Sequence, residues 1–399
     1  MSRILIALCL LGLVSSAADA QPSPFQTEVR TSAGWTFTPG ASVGGLWDSG
    51  LQTDPEAFGG ALLQKFVVVA NPHAELDFNG KRTHFNLGYS GSFEKYRASD
   101  AFWVQRGQAG VSQTLSPRFS ISGNMGYSAV PTTDRLLLVG GVVPYVPVNS
   151  HWLDAGAGFT FRGGPRTTIT GAYRFNLVTF EPPETGGFSQ LRDGYNHAQS
   201  LGFMRQFSTK LSVGATGEYR RDNVGEVDQQ FAVKTVTGEF SLRLGTSSSI
   251  FGGGGVSQLE NVWADYATTA PAFHGGFDRA LRTLRLSAHY SRGFEQAYGF
   301  GTLVGSDTFS GTAFVPLADR LYYLNAQLTY TRSDPGRGLD VGFKYTTMWS
   351  NVTVGRQLTR YLRGEGFLSF SHQSSSGPDS TNHTRLGIQI VTSKPMRIQ

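Results

Sequence analysis

The stretch LSVGATGEYR, residues 211–220, alternates between two kinds of side chain. Its odd-numbered positions, from Leu211 to Tyr219, are apolar or small, whereas most even-numbered positions up to Arg220 are polar or charged. Because successive side chains of a β-strand point to opposite faces of a sheet, this stretch predicts a strand with one apolar and one wet face.

The same alternation recurs along the whole chain, most clearly in residues 85–93, 169–176, 284–291 and 322–331. These runs reach about 12 residues and tend to carry an aromatic side chain near one end, as strands that cross a membrane do. A soluble sandwich or propeller is the alternative, but its strands usually span only about 5 to 6 residues. The pattern therefore favours membrane-spanning strands.

The turns between these runs are of two kinds that alternate along the chain. Long segments stand near 48–65, 130–149, 180–193 and 260–267, with shorter ones near 296–304 and 374–380. The short polar turns are 79–82, 116–118, 163–166, 208–210, 245–247, 318–320 and 359–360. This asymmetry is typical of bacterial outer-membrane barrels, in which the tight turns face the periplasm.

We therefore predict an all-β fold, a transmembrane antiparallel up-and-down β-barrel of about 18 strands with periplasmic termini. A barrel of 16 strands is the alternative. The predicted strands start near residues 32, 66, 82, 102, 118, 150, 166, 194, 210, 230, 248, 268, 282, 305, 320, 339, 361 and 381.

Two irregularities interrupt the pattern. The apolar phase changes between Val341 and Val354, which predicts a bulge near Met348 to Ser350. The loop from Pro131 to Val148 is unusually apolar, so we expect it either to fold into the barrel mouth as a lid or to extend two strands above the membrane.

The first 20 residues have the features of a signal peptide. Arg3 supplies a positive charge, Ile4 to Val14 an apolar segment, and Ala18-Asp19-Ala20 a small-residue cleavage pattern. We expect cleavage after Ala20 and a single barrel domain over residues 21–399, in the outer membrane of a Gram-negative bacterium. The only cysteine, Cys9, lies in the leader, so the mature chain should form no disulfide.

No catalytic motif is recognisable, and we expect no enzyme activity, no cofactor and no metal site. The histidines lack the spacing of zinc ligands. The run Gly252 to Gly255 lacks the Lys-Ser/Thr of a phosphate-binding loop, and we interpret it as packing room for bulky neighbours. The formal charge of +5 is modest, and we expect no nucleic-acid partner.

Ten side chains on the wet side of the alternation are candidates for contact with a solute in the lumen. Two interpretations stay open: they pair with one another across strands, or their arginines form a ladder that guides an anionic solute. The candidates are Arg174, Glu218, Arg220, Glu239, Arg243, Arg285, Asn325, Gln327, Arg363 and Glu365.

Three short turns, residues 115–118, 317–320 and 358–360, begin with Leu, end with Arg and precede an aromatic-bearing strand. Together with residues 215–220 and 286–292, they resemble the outer-membrane barrels of exopolysaccharide secretion systems, functionally similar to the alginate-export type. The resemblance implies an 18-stranded conduit for a polysaccharide, working with a periplasmic export partner. The chain departs from many such barrels at its end, where a basic segment, residues 394–399, replaces a terminal aromatic residue.

The leading hypothesis is therefore a passive outer-membrane channel that exports a polysaccharide. The alternatives are a general diffusion porin for small polar solutes and a structural barrel that serves a partner protein. We expect the chain to contact outer-membrane lipid and one of these solutes or partner proteins. We also expect it to be a monomer.

Overall fold

A computed structural model of the chain describes residues 34–49, 66–96, 101–131, 149–181, 192–224, 229–262, 266–281, 283–297, 302–317, 321–335, 344–375 and 380–398. The leader and the loop from residue 132 to residue 148 lie outside these residues, so the predicted cleavage and the predicted lid are not tested. Within the described part, no helix is long and apolar enough to cross a membrane.

The described residues form one antiparallel sheet of long strands and a short final one. The strands are β1 (Gly34–Asp48), β2 (Phe66–Asn79), β3 (Thr83–Tyr96), β4 (Ala101–Ser116), β5 (Phe119–Pro131), β6 (Asn149–Arg162), β7 (Thr167–Phe180), β8 (Gly194–Gln206), β9 (Leu211–Val224), β10 (Gln229–Arg243), β11 (Ser248–Asn261), β12 (Tyr266–Leu281), β13 (Leu284–Ala297), β14 (Thr302–Leu317), β15 (Tyr322–Pro335), β16 (Tyr345–Thr359), β17 (Leu362–Ser375), β18 (Ser380–Ser393) and β19 (Met396–Ile398).

The sheet closes on itself. Each long strand pairs with its neighbours in sequence, and β1 pairs with β18 from Gly40 opposite Ser393 to Asp48 opposite Arg385. A closed ring leaves no strand edge unpaired, which is the condition for crossing lipid with strands. The prediction of an antiparallel up-and-down barrel with 18 spanning strands is confirmed, and both described ends of the chain lie at the short-turn end.

The strand starts agree with the sequence prediction to within three residues, except for β16. β16 begins at Tyr345 rather than near 339, and it pairs regularly with β15 and β17 through Met348 to Ser350. The predicted bulge there is wrong: Val341 and Phe343 lie outside the described residues, and the apolar Tyr345 faces inward, where it packs against Ala297 of β13 and Val304 of β14. The register of β16 shifts instead between Gln357 and Thr359.

The basic segment at the end of the chain belongs to the sheet. After Lys394 and Pro395, β19 pairs with the start of β1, with Met396 opposite Phe37 and Ile398 opposite Trp35. β19 therefore extends the closing seam, and the apolar Ile398 lies beside an aromatic side chain on the outer face.

The two faces of the barrel differ as the alternation predicts. Large apolar side chains on the outer face are highly exposed, among them Leu201 (61%), Val236 (61%) and Ile388 (74%). An apolar belt of this extent is stable only against lipid. The opposite face carries the hydroxyl, amide and charged side chains that pair across strands.

The glycine run of β11 provides packing room, as predicted. A Cβ at Gly253 would lie 2.5 Å from the His274 ring and 2.6 Å from the Glu239 carboxylate, and one at Gly252 would lie 3.1 Å from Phe240. Since the run lies within a paired strand, its backbone is committed to the sheet.

Candidate functional site

All ten predicted lumen residues lie on the inner face of the barrel, opposite in alternation to the exposed apolar side chains. Arg174 and Glu218 meet across β8, with 2.9 Å between Nη2 and Oε2. Glu239 accepts a hydrogen bond from Thr237 and lies 2.8 Å from His274 Nε2. Many of the predicted side chains therefore pair within the wall.

The remaining candidates are spread over the inner wall. Arg363 pairs with Glu365, which also accepts hydrogen bonds from the Tyr323 hydroxyl and, at 2.8 Å, from Gln389 Nε2. The others lie on β10, β13 and β15, away from these pairs: Arg243, Arg285, Asn325 and Gln327.

One hairpin leaves the wall at the end of the barrel that carries the long loops, which we call the mouth. β12 and β13 pair only as far as Phe273 opposite Arg292. β12 continues upward with β11 to Tyr266, and β13 continues with β14 to Ala297 opposite Thr302. Residues 293–297 and 302–304 therefore form a hairpin separated from β12, which we call the mouth hairpin.

Apolar contacts show the position of the mouth hairpin relative to the barrel wall. Phe294 and Leu303 continue the outer face of β13 and β14, on which Tyr290 and Phe309 lie about 40% exposed. Yet both are buried, in one cluster with inner-face residues of β9, β10 and β11: Val224, Phe231, Val233 and Leu259. The outer face of the hairpin thus packs against the inner face of the neighbouring wall formed by β9, β10 and β11, so the hairpin lies inside the mouth.

Polar contacts hold the hairpin in the same place. Arg220 Nη2 donates to the Phe294 carbonyl oxygen at 2.8 Å. Asn196 Nδ2 donates to Gln296 Oε1 at 3.1 Å, and both side chains are buried. Gly194 leaves the space that Gln296 uses, because a Cβ there would lie 2.6 Å from its Nε2. The hairpin is docked by specific contacts on β8 and β9.

The docked hairpin brings charges of both signs together. Arg220 Nε bonds Asp222 Oδ2 at 2.9 Å, and Asp222 has no solvent exposure. Glu295, on the opposite face of the hairpin from Phe294, stays exposed to solvent and lies within electrostatic range of Arg174, Glu218 and this pair. This group of charges lines the mouth beside the hairpin.

A second buried network lies at the seam between β1 and β18 and also includes a residue of β3. Arg385 donates to Asp48 Oδ2 at 2.9 Å and to Glu94 Oε2 at 3.0 Å, and His383 Nε2 lies 2.7 Å from Asp48 Oδ1. We call these four residues the seam cluster. They join side chains that are up to 337 positions apart in the sequence.

Sequence reasoning found Arg174, Glu218 and Arg220 but missed their partners at the mouth and the whole seam cluster. Asp222 shares the even-numbered wet face of β9 with Glu218 and Arg220, so its inward direction was readable. The sequence did not predict that Glu295 and Gln296 approach β8 and β9, because that approach depends on a bend of the hairpin. Among the described residues, no group of His, Cys, Asp and Glu could hold a metal ion.

No protein-family profile matches this chain, and no curated protein matches its sequence. Solved structures of outer-membrane proteins are similar in shape. OccAB4 of Acinetobacter baumannii is 9% identical, with a TM-score of 0.47 over 92% of this chain and 100% of that one. OpdO of Pseudomonas aeruginosa is 14% identical, with a TM-score of 0.42 over 91% and 98%. The siderophore receptor PirA of Pseudomonas aeruginosa is 8% identical, with a TM-score of 0.47 over 92% and 81%. Similarity at this level carries no inference about solute or mechanism.

Proposed function

We propose that this chain is a channel of the bacterial outer membrane through which small polar solutes diffuse, narrowed at its mouth by the mouth hairpin. The observation that carries the proposal is the hairpin itself, whose outer face is packed against the inner wall by Phe294 and Leu303. A hairpin that folds inward over the wall at one end of a wet lumen narrows the passage and restricts the size of what passes.

Two further features support a channel. The apolar outer belt requires a membrane, and bacteria place antiparallel strand barrels of this kind in the outer membrane. The inner face carries paired charges and hydroxyl groups, which suit water and polar solutes. These features together support a water-filled path through the barrel.

The diffusion channel is the alternative from the sequence analysis, and we now prefer it to polysaccharide export. Among the described residues, no contact favours a polymer over a small solute. The hairpin also narrows the mouth, through which a polysaccharide chain would have to pass. The arginines predicted to guide an anion are largely engaged: Arg174 with Glu218, Arg220 with Asp222 and Arg363 with Glu365. Polysaccharide export stays an untested prediction.

The proposal is tested by planar-bilayer conductance of the refolded protein and by swelling of liposomes in sugars of graded size. We expect steady single-channel steps and a swelling rate that falls steeply between monosaccharides and short oligosaccharides. Phe294→Ala should widen the passage, because removing a buried Phe side chain costs about 3–5 kcal/mol of packing and the hairpin loses its dock.

The matched control is Phe309→Ala, on the lipid-facing part of the same strand pair, which should leave the conductance and the size limit unchanged. An equal response of the two variants would show that the hairpin does not set the width. A protein that inserts as a folded barrel but conducts no ions, with or without Phe294, would overturn the channel and favour a structural barrel.

A further inference from the structure

Among the described charges that surround the mouth hairpin, carboxylates outnumber arginines. Two arginines, Arg174 and Arg220, stand among three carboxylates, Glu218, Asp222 and Glu295. Each arginine is already in an ion pair, the first with Glu218 at 2.9 Å and the second with Asp222 at 2.9 Å. One negative charge is therefore left over beside the mouth hairpin.

Glu295 is the carboxylate of this group that has no arginine of its own. Within the described part of the chain it makes no ion pair within 4 Å, whereas the other two carboxylates each do. Its side chain is exposed to solvent, while its neighbours Phe294 and Gln296 are 5% and 3% exposed and anchor the backbone on both sides. The carboxylate is thus held at a fixed place in the passage and is open to what passes.

Two buried polar atoms at the same place have no hydrogen-bond partner among the described residues. They are Asp222 Oδ1, on β9, and Gln296 Nε2, on the hairpin. A buried oxygen and a buried amide without partners indicate a water or a small polar ligand at the contact. This observation is independent of the charge balance and marks the same side of the mouth.

We propose that the mouth is a selectivity site in which Glu295 favours small solutes that carry an ammonium or guanidinium group over anions. The inference rests on the proposed channel function and specifies its solute class. A fixed carboxylate at a constriction raises the local concentration of cations and repels anions. The arginine pairs on this part of the wall neutralise their own acids, which leaves Glu295 as the carboxylate that a passing solute meets beside the hairpin.

The test is the reversal potential of the reconstituted channel in a potassium chloride gradient, together with liposome swelling in lysine, glutamine and glutamate. For the wild type, we expect potassium to be more permeant than chloride, and lysine to enter faster than glutamate. Glu295→Gln should lower the potassium-to-chloride ratio about two- to fivefold, the effect of one unit charge acting across a few ångströms of water.

Two variants control this experiment. Glu295→Asp keeps the charge and should keep the selectivity. Glu75→Gln removes a carboxylate from the inner face of β2, opposite Thr38 and Gly88 and away from the hairpin, and should change the ratio much less. A wild-type preference for chloride, or an equal change with Glu75→Gln and Glu295→Gln, would overturn the selectivity site while leaving a conducting channel. A folded barrel that conducts nothing would overturn the channel itself.

Discussion

Single ion pairs in this barrel differ in how much they contribute to its stability, because their exposure to solvent differs. The side chains of Asp48 and Glu94 in the seam cluster are 3% and 10% exposed, and Arg385 forms an ion pair with both. The pair of Arg332 with Asp334 lies on the outside, with exposures of 56% and 42%. Burial makes an unpaired charge costly, whereas water screens an exposed one.

We therefore predict that Arg385→Met destabilises the barrel by about 3–5 kcal/mol, because two buried carboxylates lose their common partner. The measurement is the free energy of unfolding in urea, from lipid vesicles. The control, Arg332→Met, should cost at most about 1 kcal/mol. An equal loss of unfolding free energy in the two variants would contradict the conclusion that the buried ion pairs of the seam cluster stabilise the closed barrel.

At the scale of elements, the mouth hairpin is the one described segment of β13 that lacks its wall neighbour on one side. The ladder with β12 ends at Arg292, while the ladder with β14 continues to Ala297. Backbone groups on the free edge of residues 293–297 are satisfied by other means or by water. An edge of this kind opens more easily than a strand paired on both sides.

We expect amide hydrogen exchange to reveal this difference. A peptide covering residues 293–297 should exchange faster than one covering residues 285–291 of the same strand, and Phe294→Ala should increase the rate further. Mass spectrometry of the protein in lipid discs measures both. Equal protection of the two segments would mean that the hairpin is as firmly built as the wall.

At the scale of the whole molecule, the barrel predicts an orientation. The short turns, with both described chain ends, lie at one end, and the long connections lie at the other. Outer-membrane barrels place the short turns in the periplasm and the long loops outside the cell. The only cysteine of the chain, Cys9, lies in the predicted leader, so introduced cysteines can report the topology.

We predict that Glu181→Cys, at the long-loop end, reacts with a membrane-impermeant maleimide on intact cells. Thr246→Cys, in a short turn, should react only after the outer membrane is made permeable. Both positions are exposed, so accessibility of the side chain does not limit labelling. Labelling of Thr246→Cys on intact cells would reverse the orientation and place the mouth hairpin in the periplasm.

The alternation of residues such as Leu211 to Arg220 was enough to predict the strands, the closed barrel and the face on which each charge lies. It was enough because each side chain of a strand has only two directions, and lipid and water select between them. For the same reason Arg174, Glu218 and Arg220 were found as residues of the inner wall.

Only the tertiary structure decided which of these side chains meet. The contacts of Arg220 with the Phe294 carbonyl group and of Asn196 with Gln296 join strands that are not hydrogen-bonded neighbours in the sheet. They exist because the upper part of β13 separates from β12 and turns its apolar face inward. No local pattern encodes that bend. Phe294 continues the alternation of a lipid-facing residue, and its burial depends on residues of the wall from Leu259 back to Val224, which are distant in the sequence.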